Sequence, residues 1–213
     1  MALTRKTPVH RPVRALAALA LAAATVGFAP AQAAVLFTDN FDDDALALNA
    51  ITFVRGWTVT AGSVDVHGAG DYWDMHPGNG HYVDLDGSTM AGGTLARSFT
   101  LDAGITYSAS WWLGGSGRGD ANTVDVMFGT SSASYTLASN DPLALAGFLN
   151  FTPLTSGDYT LSFTNRGGDN LGAILDNVVV QTVQGGQTVP EPGTLGLALA
   201  AAGLMAGLRR RRG

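Results

Sequence analysis

The sequence predicts an all-β protein, a β-sandwich of the jelly-roll type with a secretion signal before it and an apolar helix after it. Between residues 34 and 183, short runs alternate apolar and polar residues, and clusters of Gly, Asn, Asp and Ser separate them. No run there has a convincing helical period. Strands that are apolar on one face need a second sheet to cover that face, so about eight to ten such strands predict a sandwich.

The alternation also predicts which side of each strand faces the core, because neighbouring residues of a strand point to opposite faces. In HYVDLD, which follows a hairpin signal at Asn79-Gly80, Val83 and Leu85 point inward, and Tyr82, Asp84 and Asp86 point outward. The last run, AILDNVVVQTV, is apolar on both faces and predicts a central strand. The other positions predicted to face the core are Trp57, Val59, Val64, Val66, Tyr107, Ala109, Trp111, Leu113, Val124, Val126, Phe128, Tyr159, Leu161 and Phe163.

The two ends of the chain differ in composition from the middle. Residues 1–33 have a basic start, an apolar stretch Ala15–Phe28 and the small-x-small triplet Ala31-Gln32-Ala33, which predicts a cleaved secretory signal peptide. Residues 34–183 form the predicted sandwich domain, and the polar, glycine-containing residues 184–189 are a flexible linker. Residues 190–213 form a separate C-terminal element.

The predicted domain is strongly acidic and has no cysteine. Residues 34–189 have four arginines, no lysine and 16 aspartates, which gives a formal charge near −12. Such a surface repels phosphates, which argues against nucleic acid and anionic lipid headgroups as partners. Without cysteine, the chain has no disulfide, no thiolate zinc site and no cysteine nucleophile.

Motifs of the common hydrolases and nucleotide-binding enzymes are absent from the sequence. There is no H-E-x-x-H, no G-x-S-x-G, no phosphate-binding glycine loop and no C-x-x-C. Paired aspartates could still act as acid and base, but Asp84 and Asp86 lie on a polar strand face where solvation is the ordinary state. We therefore predict a protein that is not an enzyme.

Two groups of hard oxygen ligands predict a calcium site. The run DNFDDD, Asp39 to Asp44, places four carboxylates in six residues, and a cation would relieve their repulsion. Asp176 lies inside the apolar last strand, where a carboxylate needs a partner. We predict that the first and last strands are close together and that Asp42 and Asp176 hold a structural calcium ion. The alternative is a solvated acidic turn and a hydrogen-bonded aspartate.

Aromatic residues outside the predicted core suggest a sugar-binding surface. Trp111 and Trp112 are adjacent, so they cannot both face the core, and Trp112 is the one predicted to face outward. Tyr72 and Trp73 lie in a predicted loop beside aspartates. Aromatic rings stack on the apolar faces of sugars while polar groups bind the hydroxyls. The predicted ligand-binding residues are Tyr72, Trp73, Asp84 and Trp112.

The C-terminal element resembles the PEP-CTERM sorting signal of Gram-negative bacteria that make extracellular polysaccharide. The similarity rests on three features in fixed order: a Pro-Glu-Pro triplet, an apolar segment of sixteen residues and an arginine cluster. It implies export, transient retention in the inner membrane and recognition by an exosortase, which cuts near the triplet. The residues concerned are Val189, Pro190, Glu191 and Pro192, and then Arg209, Arg210, Arg211 and Arg212.

The middle of the chain resembles choice-of-anchor domains, which are related to galactose-binding-like β-sandwiches. GWTVTAGSVDV, PGNGHYVDLDGS and LDNVVV carry this similarity. In calcium-bearing carbohydrate-binding modules of similar shape, an acid after an early Asn-x-Phe-like stretch and an aspartate of the last strand hold the metal. The resemblance implies those roles for Asp42 and Asp176, although Asp42 is an aspartate where glutamate is usual.

Together these features predict an exported protein of the cell surface or extracellular matrix whose sandwich binds exopolysaccharide without catalysis. Two alternatives stay open. The protein could be a purely structural component of the envelope or matrix, or an aspartate-dependent glycoside hydrolase. Exposure of Trp73 and Trp112 favours the first function, and a deep cleft with two carboxylates favours the hydrolase.

Overall fold

The computed structural model describes residues 33–183, which form two packed antiparallel sheets. No helix occurs in this part of the chain. The strands are β1 Val35–Asp39, β2 Thr58–Ala61, β3 Asp65–Gly68, β4 His81–Asp84, β5 Thr94–Leu101, β6 Tyr107–Gly114, β7 Asn122–Phe128, β8 Ser131–Leu137, β9 Ala144–Phe151, β10 Gly157–Asn165 and β11 Ile174–Thr182. The all-β sandwich predicted from the sequence is confirmed.

The six-stranded sheet has the order β3-β4-β11-β6-β9, and β1 also pairs with β11. The five-stranded sheet has the order β2-β5-β10-β7-β8. As predicted, β11 is a central strand, with β6 on one side and both β4 and β1 on the other. The first and last strands are therefore direct neighbours.

An aromatic core fills the space between the sheets. Trp111 is fully buried and lies edge-on to Phe163 at 5.4 Å and to Tyr135 at 5.9 Å between ring centroids. Val83 and Leu85 are buried in the same core, as the alternation predicts. The facing prediction for Trp111 and Trp112 is also confirmed, because Trp112 lies outside this core and is only partly buried.

Loops cover part of the outer face of the six-stranded sheet, and this differs from the sequence prediction. The side chains of Asp65, His67, Tyr82, Asp84 and Asp86 point away from the inter-sheet core as expected, yet all are buried. The cover includes residues 69–80, which join β3 to β4 in place of the tight turn predicted at Asn79-Gly80. Period-two alternation indicates on which face of the sheet a side chain lies. It does not indicate whether a loop covers that face.

No helix within residues 33–183 is long and apolar enough to span a bilayer. The predicted signal peptide, linker and apolar segment fall almost entirely outside the described residues.

Candidate functional site

Two neighbouring aromatic side chains extend from the loop of residues 69–80, which we call the aromatic loop. Tyr72 is 89% exposed and Trp73 is 55% exposed. Their rings are nearly perpendicular, with centroids 5.2 Å apart. The pair thus presents apolar ring surface to solvent in two orientations.

The hydroxyl group of Tyr82 fixes the second half of the aromatic loop. It accepts hydrogen bonds from the backbone N–H of Met75 at 2.6 Å and of His76 at 3.1 Å, and it donates to Asp74 Oδ1 at 3.0 Å. Burial and the carboxylate of Asp74 raise the pKa of Tyr82 to about 12, against the effect of the two N–H donors. The hydroxyl therefore stays protonated at neutral pH and holds the segment after Trp73.

The aromatic loop is also attached to the sheet beneath it. His76 Nε2 lies 2.7 Å from the carbonyl oxygen of Gly115, just after β6. Met75 packs on a small apolar cluster of Tyr82, Leu143 and Ile174, and Trp112 packs on the same cluster. The loop that carries Tyr72 and Trp73 and the outward tryptophan of β6 thus share one packing unit.

Trp112 lies beside an exposed apolar strip on β9. The strand register places Trp112 opposite Leu145, and Ser110 opposite Phe148, so all four side chains share the outer face of the sheet. Leu145 and Phe148 are both largely exposed. The sequence did not reveal them as surface residues, because ALAGFLNF has no clean alternation and resembles a core strand.

The prediction that Asp84 lies on a solvated strand face is wrong. It is 1% exposed, forms an ion pair with Arg118 and accepts a hydrogen bond from the N–H of Asp86 at 2.9 Å. Burial raises the pKa of Asp84 to about 6, against the opposing effects of that N–H and of Arg118. The carboxylate is part of a buried ion pair and presents no surface to a ligand.

Asp42 and Asp176 lie where β1 and β11 meet. Asp176 is fully buried and accepts hydrogen bonds from the N–H and the side-chain amide of Asn177. Burial raises the pKa of Asp176 to about 7, and the negative charges of Asp42 and then Asp39 add to this. Asp42 is exposed, and its Oδ1 accepts a hydrogen bond from the backbone N–H of His81, with 2.8 Å between N and O.

Carboxylate oxygens are the donors that calcium prefers, so Asp42 and Asp176 fit that ion in chemical type. The part of the chain that the structure describes contains no group of three or more His, Asp or Glu side chains able to hold a metal. Backbone carbonyls or water would have to supply the remaining calcium ligands.

The tail of the chain matches a known family of sorting signals. The matching family is described as the PEP-CTERM protein-sorting motif, and it covers residues 188–212. The chain carries a PEP-CTERM sorting motif. The motif indicates an exported protein that is sorted to the cell surface. No curated protein matches the chain.

Solved structures with a similar fold include modules of bacterial xylanases. The CBM22-1-CBM22-2 tandem domain of Paenibacillus barcinonensis Xyn10C matches with a TM-score of 0.49 and 16% identity, over 77% of this chain and 49% of that one. Its CBM22-1 xylan-binding domain alone gives a TM-score of 0.44 and 16% identity, over 73% of this chain and 99% of that one.

A longer structure is matched only in part. The CBM22-1-GH10 modules of Clostridium thermocellum Xyn10B, complexed with xylohexaose, match with a TM-score of 0.44 and 16% identity, over 74% of this chain. The chain spans 30% of that protein and about half of the tandem domain.

The predicted site residues of this chain are thus distributed over three places within the described residues. Tyr72, Trp73 and Trp112 belong to the aromatic loop and the sheet face beside it. Asp84 lies in a buried ion pair, and Asp42 and Asp176 lie at the β1–β11 junction. The motif residues Val189 to Pro192 and Arg209 to Arg212 are outside the described residues.

Proposed function

We propose that this exported, surface-sorted protein uses its β-sandwich as a non-catalytic module that binds a neutral exopolysaccharide. The observation that supports this is the exposed Tyr72–Trp73 pair on a braced loop. Aromatic rings at such positions stack against the C–H faces of sugars. The Tyr82 hydroxyl orders the loop before any ligand arrives, so less conformational entropy is lost on binding.

The outer sheet face next to the loop can extend this surface. Trp112, Leu145 and Phe148 share that face, and Ser110 adds a hydroxyl beside them. A mixture of apolar surface and a few polar groups is typical of sites that bind sugars. A polysaccharide chain has enough length to contact both the aromatic pair and this strip.

The electrostatics of the domain favour a neutral glycan over an acidic one. Residues 34–189 carry a formal charge near −12, which repels uronates. Each arginine of the sandwich already has an interaction within the domain. The interactions are Arg55 with Asp43, Arg118 with Asp84, Arg166 with Asp125, and the Arg97 guanidinium 4.2 Å above the ring of Phe37.

The burial of Asp84 and Asp86 supports a role without catalysis for this pair. A hydrolase needs two carboxyl groups facing one substrate cleft. Asp84 and Asp86, the pair considered from the sequence, are both buried. Asp86 Oδ2 accepts a hydrogen bond from the backbone N–H of Asp169 at 3.2 Å, and Asp84 forms an ion pair with Arg118.

Replacing Trp73 with alanine should weaken binding of the full-length chain to neutral polysaccharide about tenfold, since loss of one stacking aromatic is worth about 1–1.5 kcal/mol. Trp112→Ala should also weaken it, and Leu154→Ala, an exposed apolar residue between β9 and β10, should not. Affinity electrophoresis through gels of neutral and acidic polysaccharides measures this. Failure of the folded chain to be retarded by any neutral polysaccharide would contradict the function and favour a purely structural protein.

The proposal includes an exosortase as processing partner and a transient stay in the inner membrane of a Gram-negative envelope. The PEP-CTERM match to residues 188–212 supports it. Mass spectrometry of the cell-associated protein tests it, because a mature C-terminus at Gly213 would mean that the tail is retained.

A structural calcium ion held by Asp42 and Asp176 is the second part of the proposal. The pKa of Asp176 is raised from 3.8 to about 7, so without metal the ionised carboxylate destabilises the fold. Stability should therefore fall as the pH rises from about 4 to about 7, and bound calcium should remove that fall. At about pH 8, EDTA should lower the melting temperature by about 3–6 °C.

Asp176→Asn is the matched control for calcium, because it keeps the shape of the side chain and removes its charge. This variant should melt at the same temperature with and without EDTA. An unchanged wild-type midpoint on adding EDTA, across the whole pH range, would show that no calcium is bound.

A further inference from the structure

The imidazole ring of His67 lies between two carboxylates at the base of the aromatic loop. His67 is a buried residue of β3. Its Nδ1 contacts Asp71 Oδ2, and its Nε2 lies 3.7 Å from Asp65 Oδ2. A neutral imidazole has one N–H and one lone pair, whereas an imidazolium has two N–H donors. Only the protonated ring can offer a proton to both carboxylates.

Asp71 connects this ring to the backbone of the aromatic pair. Asp71 directly precedes Tyr72, and the pKa of its carboxyl is lowered by His67 and then by the nearby backbone N–H groups of Trp73 and Tyr72, against the effect of burial. The N–H of Asp71 itself donates to the carbonyl oxygen of Gly68 at 2.9 Å. His67 therefore holds the residue that immediately precedes the aromatic pair in the first half of the loop.

The second half of the loop depends on groups that do not need a charge. The Tyr82 hydroxyl holds Asp74, Met75 and His76, and its raised pKa of about 12 keeps it protonated. His76 faces the carbonyl oxygen of Gly115 and can donate to it from a neutral ring. Tyr72 and Trp73 thus lie between one anchor that depends on the charge of His67 and one whose hydrogen bonds need no charge on the donor.

The charges around His67 favour its protonated form. Asp65 faces it from β3, Asp71 from the aromatic loop and Asp84 from β4, and Asp84 is itself paired with Arg118. Burial lowers the pKa of His67, but the nearby carboxylates of Asp65 and Asp71 outweigh this, so the pKa is raised from its ordinary value of 6.5. The charge-assisted anchor is therefore complete below about pH 6.5. As the pH rises through the folded-state pKa, the ring keeps one N–H and loses its charge and its second donor, so the anchor weakens.

We propose that protonation of His67 switches the aromatic loop from a loosened to a fixed state, so that glycan binding at Tyr72 and Trp73 weakens above neutral pH. The consequence for binding rests on the proposed function. The state of the loop can be observed without any ligand.

The loop is tested by ¹⁹F NMR of the full-length chain labelled with 5-fluorotryptophan, whose four tryptophans give four signals. Trp73→Phe assigns the Trp73 signal. From about pH 5 to about pH 9 this signal should move with one midpoint above 6.5, and the movement should vanish in His67→Gln and persist in His76→Gln and His81→Gln. The signal of the core residue Trp57 reports that each variant is folded. A Trp73 signal that does not move overturns the switch.

Binding is measured on the same samples by affinity electrophoresis in a neutral polysaccharide at about pH 6 and about pH 9. Wild type should bind about tenfold more weakly at the higher pH, the size of one charge-assisted hydrogen bond, and His67→Gln should bind equally at both. A titrating signal with equal binding at both pH values would overturn control of binding by His67. A titrating signal with no binding at any pH would refute the proposed function and leave the loop switch standing.

Discussion

Replacing Trp111 with alanine should lower the free energy of unfolding by about 3–5 kcal/mol, the usual cost of deleting a buried tryptophan. Trp111 is fully buried, and its ring contacts Phe163 and Tyr135 edge-on. These neighbours belong to β10 and β8 of the opposite sheet, so the cavity would open between the two layers. Urea denaturation, followed by circular dichroism, measures the loss.

Trp112→Ala is the matched control, because it removes the same side chain one position along the same strand. Trp112 lies on the outer face and is only partly buried, so the loss should be about 1–2 kcal/mol. Trp112→Ala should instead affect binding to polysaccharide. Equal losses of stability in the two variants would contradict the assignment of the two faces.

Alternation along the strands was sufficient to predict much of the fold. It separated Trp111 from Trp112 and placed Val83 and Leu85 in the core. The run of apolar residues in β11 correctly indicated a central strand. These features depend on local periodicity and on the need to bury one face of each sheet, and the order of apolar and polar residues determines both.

The environment of the outer face could not be predicted in the same way. Asp84 was placed on a solvated face because its strand neighbours alternate correctly, but Arg118 and the surrounding loops enclose it. His67 is buried for a similar reason, since Asp71 of the aromatic loop folds back onto it. Such contacts join residues that are far apart in the sequence or lie in loops. The alternation of apolar and polar residues along a strand does not predict them.

The candidate site was predicted in part. Tyr72 and Trp73 could be identified because two large rings in a polar loop have no local reason to be there. The bracing by Tyr82 was not predicted, because a tyrosine in a strand gives no indication of which loop its hydroxyl will reach. Phe148 was missed because its strand is apolar along most of its length.

Replacing Arg118 with alanine should destabilise the protein by about 3 kcal/mol at about pH 8, because it leaves the buried carboxylate of Asp84 without its cation. We expect the lower end of the usual range because the Arg118 side chain is 23% exposed. Arg166→Ala, which breaks an ion pair at a more exposed place, should cost less than about 1 kcal/mol. Thermal and urea unfolding of both variants measures the difference.

The pH dependence identifies the charge of Asp84 as the cause of this loss. Burial raises the pKa of Asp84 to about 6, so its ionisation destabilises the fold as the pH rises from 3.8 through about 6. Without Arg118 that pKa should rise further, so the cost of Arg118→Ala should be small at about pH 4 and grow towards about pH 8. Adding Asp84→Asn should restore most of the lost stability at about pH 8, since no buried charge then remains unpaired. A cost independent of pH, or no rescue in the double variant, would mean that Arg118 stabilises the loop by packing and not by charge.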